Sequence, residues 1–138
     1  MYRKRFTFTP TMLNDGGASW AQVLLPTPPT GTAYTIFKFQ FVWRPGTTPY
    51  TFSSPSSPMY VYTDGMGTPQ WTAADVYPLL SSLIPMWLST GDDSWGTPFD
   101  LSLFDGQPLN AGLYTYPIAP PGDGYLDLWI YYDVISTT

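Results

Sequence analysis

The 138-residue sequence contains no histidine, no cysteine and no glutamate. Without cysteine there is no disulfide framework and no thiolate nucleophile, and the redox compartment stays open. Without histidine the chain lacks the commonest general base and the commonest transition-metal ligand. Ser-His-Asp and Cys-His arrangements are thereby excluded, as are zinc sites built on either residue. Charge is also scarce, at 11% of residues against roughly 25% in an average domain. The shortage of Lys, Glu and Ala argues against long helices. No run approaches the roughly 18 apolar residues of a membrane span. Residues 6–15 are too polar for the apolar core of a secretory signal, so either synthesis in a cytoplasm or prior removal of a signal is expected. Gly65-Met66-Gly67 lacks the glycine spacing and the lysine of a phosphate loop.

What the chain does have is aromatic residues, at 18%, together with 16 Pro and 12 Gly spread between apolar runs. That spacing predicts short strands separated by turns, in one domain long enough to bury a core. The clearest strand is 34–44. Its odd positions are Thr35, Phe37, Phe39, Phe41 and Trp43; its even positions are Ile36, Lys38, Gln40, Val42 and Arg44. Side chains alternate across a strand, so this one presents a mainly aromatic inner face and a mixed outer one. A row of four large rings needs an apolar cover of similar extent, most economically a second sheet.

Further strands are expected at 5–9, 20–25, 59–62, 99–103, 113–118 and 125–135, with turns at 14–17, 64–67, 92–96 and 119–124. Residues 47–58 read as a long loop with room for a short edge strand, and 105–112 as another loop. One helix is expected near 75–84, where Val76, Leu79, Leu80 and Leu83 fall at helical spacing and Thr72 to Asp75 resembles a capping pattern. Pro78 fits only in its first turn, and Pro85 ends it. The fold class is therefore all-β, a β-sandwich or jelly roll of about seven or eight antiparallel strands with one short helix.

Arg3, Lys4 and Arg5 are three of the five basic residues; beyond them, Lys38 and Arg44 face ten aspartates. A basic N-terminal arm, 1–5, is expected on an acidic body, 6–138. Such a body is a poor surface for nucleic acid, whose phosphates must meet cations. Most aspartates sit beside Gly, Ser or Pro, where the side chain bonds the turn backbone. Paired carboxylates alone can hydrolyse glycosides, and Asp92 with Asp93, or Asp123 with Asp127, could offer oxygen to calcium at a loop. Neither pair matches the twelve-residue calcium loop, and no catalytic residue, metal or cofactor is assigned.

The best candidate surface is the odd face of the last strand, where Asp127, Trp129, Tyr131 and Asp133 stand in one row. Three covers are open for it: the chain itself, another subunit, or a ligand stacked on the rings.

In layout, the arm Arg3-Lys4-Arg5, the strands 34–44 and 99–103 and the closing strand 125–135 resemble those of small single jelly-roll capsid and virion proteins of phages and other viruses. The resemblance spans the chain as architecture. It implies a non-enzymatic virion subunit, made in the host cytoplasm, that self-assembles or docks on other virion proteins. It also implies an arm, Arg3, Lys4 and Arg5, that reaches neighbouring subunits, the genome or a membrane. This arm is shorter and less basic than many genome-binding arms, so any nucleic-acid contact is confined to it. The alternative is a carbohydrate-binding module or receptor-binding head. In that reading Trp129, Tyr131 and Trp95 stack a glycan and Asp127 or Asp133 bonds its hydroxyls.

Overall fold

Eight strands, two short helices and one 3-10 turn make up the described residues, which are 1–15, 22–64, 71–90, 101–113 and 115–138 of a computed structural model. In chain order they are β1 (Tyr2–Phe8), α1 (Pro10–Asn14), β2 (Gln22–Leu25), β3 (Thr32–Arg44), β4 (Pro58–Tyr62), β5 (Trp71–Asp75), α2 (Tyr77–Leu80), β6 (Met86–Thr90), the 3-10 turn (Leu101–Leu103), β7 (Leu109–Leu113) and β8 (Tyr125–Ser136). Sheet A has the order β1-β8-β3-β6 and sheet B the order β2-β7-β4-β5, with antiparallel pairing throughout. β1 pairs with β8, β2 with β7, β3 with β6 and β4 with β5. The chain is thus one long hairpin of four strand pairs, wound so that alternate pairs fall in opposite sheets. This is the expected all-β sandwich, in the strand order of a jelly roll.

The core lies between the sheets. Phe8, Phe39, Phe41, Trp43, Leu126, Leu128 and Ile130 come from sheet A and meet Leu24, Leu25, Met59, Val61, Leu109 and Leu113 from sheet B, all buried. The even residues of β8 point inward as their alternation predicts. The last of the row, Val134, is 39% exposed because the strand outruns the core.

β3 departs from strict alternation. The register against β8 shifts between Ile36 and Lys38, so Phe37 is an extra residue in the ladder. A bulge of this kind reverses which parity faces in. Tyr34 and Ile36 therefore face the core before it, and Phe39, Phe41 and Trp43 after it. The inner row holds three rings beyond the bulge, not four, and Thr35 stands opposite Asp133 on the other face.

Other expectations are corrected. Residues 2–5 are not a free arm: they extend β1, because β8 runs on to give Tyr2, Arg3, Lys4 and Arg5 ladder partners in Tyr132, Tyr131, Ile130 and Trp129. The helix near 75–84 is the single turn α2, since Trp71–Asp75 pairs with β4 as a strand instead of capping a helix. Asp75 still accepts hydrogen bonds from the Tyr77 and Ser57 backbone N–H groups, at 3.1 and 2.9 Å. Helix α1 was not expected. Pro10 opens it and the Thr9 hydroxyl accepts from Met12 N–H at 3.4 Å. Leu101–Leu103 forms the 3-10 turn, not a strand. Strand β7 occupies 109–113, so four of its five residues fall in the expected loop, while Ile118 makes only an isolated bridge to Thr51. Alternating Leu109, Ala111 and Leu113 carry that strand, and its buried Asn110 donates to Asp64 Oδ1 at 2.8 Å. Residues 16–17, 20–21, 65–67, 92–96 and 99–100, with their expected turns and strand ends, lie outside the described residues, as does Tyr114.

One carboxylate pins the loops at the end of the sandwich. Asp123 accepts from Thr48 N–H at 2.8 Å, Thr47 N–H at 3.1 Å and the Thr47 hydroxyl at 2.7 Å. These bonds favour the ionised form, led by Thr48, and hold its pKa below the usual carboxylate value. A group whose folded-state pKa is lowered adds stability above its unfolded pKa and loses it as pH falls through the folded value. We therefore expect Asp123→Asn to lose less stability than the native chain as pH drops below the ordinary aspartate range. Urea unfolding at stepped pH reads this directly, and parallel curves for the two chains would refute it.

Candidate functional site: the outer face of sheet A

The side chains that alternate away from the core on β1, β8, β3 and β6 form one face. Pairing sets its rows: Thr7, Asp127, Val42 and Trp87 stand side by side, then Arg5, Trp129, Gln40 and Ser89, then Arg3, Tyr131 and Lys38. Asp127, Trp129, Tyr131 and Asp133 thus share a face as the alternation of β8 predicts. Sequence reasoning did not show which residues would flank them.

The flanking residues are cations. The Arg3 guanidinium lies 4.6 Å from the centre of the Trp129 ring and the Arg5 guanidinium 5.6 Å from it. The Lys38 ammonium is 4.4 Å from the Tyr131 ring centre, and the Arg44 guanidinium 5.3 Å from that of Tyr125. Cation–π contacts of this kind are worth about 0.5–1 kcal/mol each at exposed sites, so the set fixes positions more than it stabilises the fold. A guanidinium resting on a ring keeps its in-plane N–H groups for other acceptors. Among the described residues, no carboxylate lies within ion-pair distance of Arg3, Arg5 or Lys38.

The two aspartates of the row are engaged. Asp127 is only 5% exposed; its Oδ1 accepts from the Thr7 hydroxyl at 2.6 Å and from Arg44 Nη2 at 3.0 Å. Burial beside a strand partner demands such partners, since an unpaired buried carboxylate is costly. Asp133 pairs with the Met1 ammonium at 3.0 Å. Tyr131 donates a long hydrogen bond, 3.4 Å, to Gln40 Oε1. At the β6 edge Trp87 is 69% exposed, an uncovered indole beside Val42.

No family model matches this chain, nor does any curated protein or solved structure. The functional reading therefore rests on its own residues.

The cations are confined to one layer of the sandwich. All five basic residues lie on β1 and β3, in sheet A, which holds only two aspartates, Asp127 and Asp133. Elsewhere the described residues carry Asp15, Asp64, Asp75, Asp105 and Asp123 and no cation at all. Four of the five cations sit on the outer face; Lys4, of opposite parity on β1, does not. Lys38 and Arg44 were legible as outer residues of their strand. Their meeting with Trp129 and Tyr131 depends on β3 lying beside β8, which no local pattern encodes. Trp87, two residues beyond Pro85, was not singled out by any sequence pattern.

The two calcium candidates fare differently. Asp123 and Asp127 spend their carboxylates on separate partners, the threonines of the loop and Arg44 with Thr7. Asp92 and Asp93 lie outside the described residues, as does Trp95. Among the described residues no three acidic groups gather as metal ligands, and no helix is long and apolar enough to cross a membrane.

Proposed function

We propose that this protein is a non-enzymatic structural subunit of a virus particle, which assembles with itself or with companion virion proteins through the outer face of sheet A. The observation that carries the reading is the convergence there of Arg3, Arg5, Lys38 and Arg44 with Trp87, Tyr125, Trp129 and Tyr131. Tyr, Trp and Arg are the residues enriched where protein surfaces meet, because each combines area with directed hydrogen bonding. The jelly-roll strand order supports the reading as architecture and does not by itself specify it, since lectin domains share it. Light scattering and negative-stain microscopy of the purified chain test the proposal. Oligomers or closed particles are expected; a chain that stays monomeric at every concentration and binds no co-purified particle component counts against it.

A second reading, glycan binding, draws on a different residue from those the sequence singled out. The Trp129 ring is already overlain by Arg3, whereas the Trp87 indole is uncovered. A glycan that quenches tryptophan fluorescence in the native chain and not in Trp87→Ala would favour this reading over assembly.

A further inference from the structure

An open sheet edge invites pairing with another chain, and the usual guards against it are short strands, bulges, charge and proline. The two sheets have four edges, β1 and β6 in sheet A and β2 and β5 in sheet B. Three of them are guarded. β1 presents Arg3, Lys4 and Arg5. β2 has four residues and a register shift against β7. β5 has a register shift against β4 and ends on Asp75. The fourth, β6, has none of these. Met86–Thr90 pairs with β3 in unbroken register, and among the described residues no strand lies on its other side. Residues 76–91 contain no charge. The segment that leads into the strand exposes Leu83 by 54% and Ile84 by 67%, and the strand itself adds the exposed Trp87. An apolar cluster beside an open ladder marks a contact surface.

We propose that β6 pairs antiparallel with β6 of a second copy across a two-fold axis, joining their four-stranded A sheets into one. The contact is separate from the outer face invoked above and does not rest on the virion reading. Charge selects the occupant. Pairing through β1 would set the basic run against itself, a like-charge ladder that opposes association. Pairing through β6 brings no charge together. It keeps the two β3 strands, which carry Lys38 and Arg44, about 14 Å apart across three strand spacings, beyond the roughly 10 Å screening length at about 0.1 M salt. An axis at Leu88 pairs every residue of the strand: Leu88 with its own copy, Trp87 with Ser89 and Met86 with Thr90. Trp87 and Ser89 share the outer face with Val42 and Gln40. The two Trp87 indoles then stand diagonally across the axis, about 7–8 Å apart at the backbone and within reach of each other. Met86 and Leu88, partly buried against the core, continue the apolar layer from one copy into the next. The interface is small, so its dissociation constant belongs in the micromolar range.

The test places a charge on either side of one cross-axis pair in the full chain. Trp87→Glu and Ser89→Lys both change exposed outer positions, so both variants are expected to fold, which thermal unfolding checks. Sedimentation velocity from about 1 to about 300 μM is run on the native chain, on each variant and on their equal mixture. The native chain is expected to dimerise equally at about 0.1 and about 1 M NaCl, because the contact contains no ion pair. Each variant alone should dimerise roughly 10-fold or more weakly, with like charges diagonal across the axis. The mixture should regain a 1:1 dimer, since the introduced carboxylate then stands opposite the introduced ammonium. A native chain monomeric throughout overturns the proposal. Native assembly that is unchanged in both variants also overturns it and leaves assembly through the outer face of sheet A standing. Loss in both variants without rescue in the mixture overturns the pairing about Leu88. A monomer that instead retains a co-purifying protein, and loses it in Ser89→Lys, assigns the edge to a partner other than its own copy.

Discussion

Trp43→Ala is expected to destabilise the protein by about 3–5 kcal/mol, the range for truncating a large buried aromatic. Trp43 heads the fully buried side chains of the core, at 1% exposure. It lies on β3 between Leu126 of β8 and Met86 of β6, and its ring meets that of Tyr50 edge-on at 5.9 Å. Its Nε1–H donates to the Ser82 carbonyl at 3.0 Å, tying β3 to the segment that leads into β6. The loss therefore has two parts, a cavity and an orphaned carbonyl. Trp43→Phe restores most of the volume without the donor and should recover most of the stability, since the net worth of one hydrogen bond is about 1 kcal/mol. Urea unfolding with an unchanged denaturant slope reads both. A Trp43→Ala loss under about 2 kcal/mol would mean that the surroundings collapse into the space, contrary to the rigid packing argued here.

Gly124→Ala is expected to cost about 1–3 kcal/mol or more by overpacking. A methyl group at this position would lie 2.7 Å from Trp43 Cζ2, closer still to Cη2, and 3.0 Å from the Arg44 carbonyl oxygen. The indole has nowhere to go, because its own hydrogen bond to Ser82 and the Tyr50 ring hold it. Tyr50 in turn donates its hydroxyl to the Gly124 carbonyl at 2.9 Å, and burial, then the nearby Asp123 charge, raise its pKa well above the ordinary tyrosine value. The clash is with the far end of Trp43, so the two sites are coupled. In a Trp43→Phe background the added methyl should cost measurably less, leaving the 3.0 Å approach to the Arg44 carbonyl as the remainder of the effect. Equal costs in the two backgrounds would place the strain in the backbone rather than in the ring.

These two positions also show what a local pattern conveys. Trp43 is readable as a core residue from alternation alone, because a strand puts every second side chain on one face. Gly124 reads only as part of a Pro/Gly turn. That it must be glycine because an indole passes against it follows from two segments about 80 residues apart meeting, and sequence spacing carries no such information. Phe37 illustrates a milder failure. Its alternation with Phe39 and Phe41 is unbroken, yet a bulge against β8 removes it from the inner row. A bulge is a property of the pair of strands, so one strand's sequence does not announce it. The shortened helix has a similar cause: the residues that resemble a cap, Thr72 to Asp75, find ladder partners in β4. Strand pairing then outweighs a weak local preference.

The candidate site divides along the same line. Few helix-forming residues, abundant aromatics, Pro and Gly spread between apolar runs and period-two alternation pointed from the sequence alone to a sandwich of strands with an aromatic core. They also placed Asp127, Trp129, Tyr131 and Asp133 in one row. Only the tertiary winding decided that β1 and β3 flank β8, that the expected basic arm is an edge strand, and that three cations therefore stand over those rings and a fourth over Tyr125. The reason is physical. Alternation is set within a strand by backbone geometry, whereas neighbourhood across a sheet is set by how the long hairpin rolls to bury its apolar face.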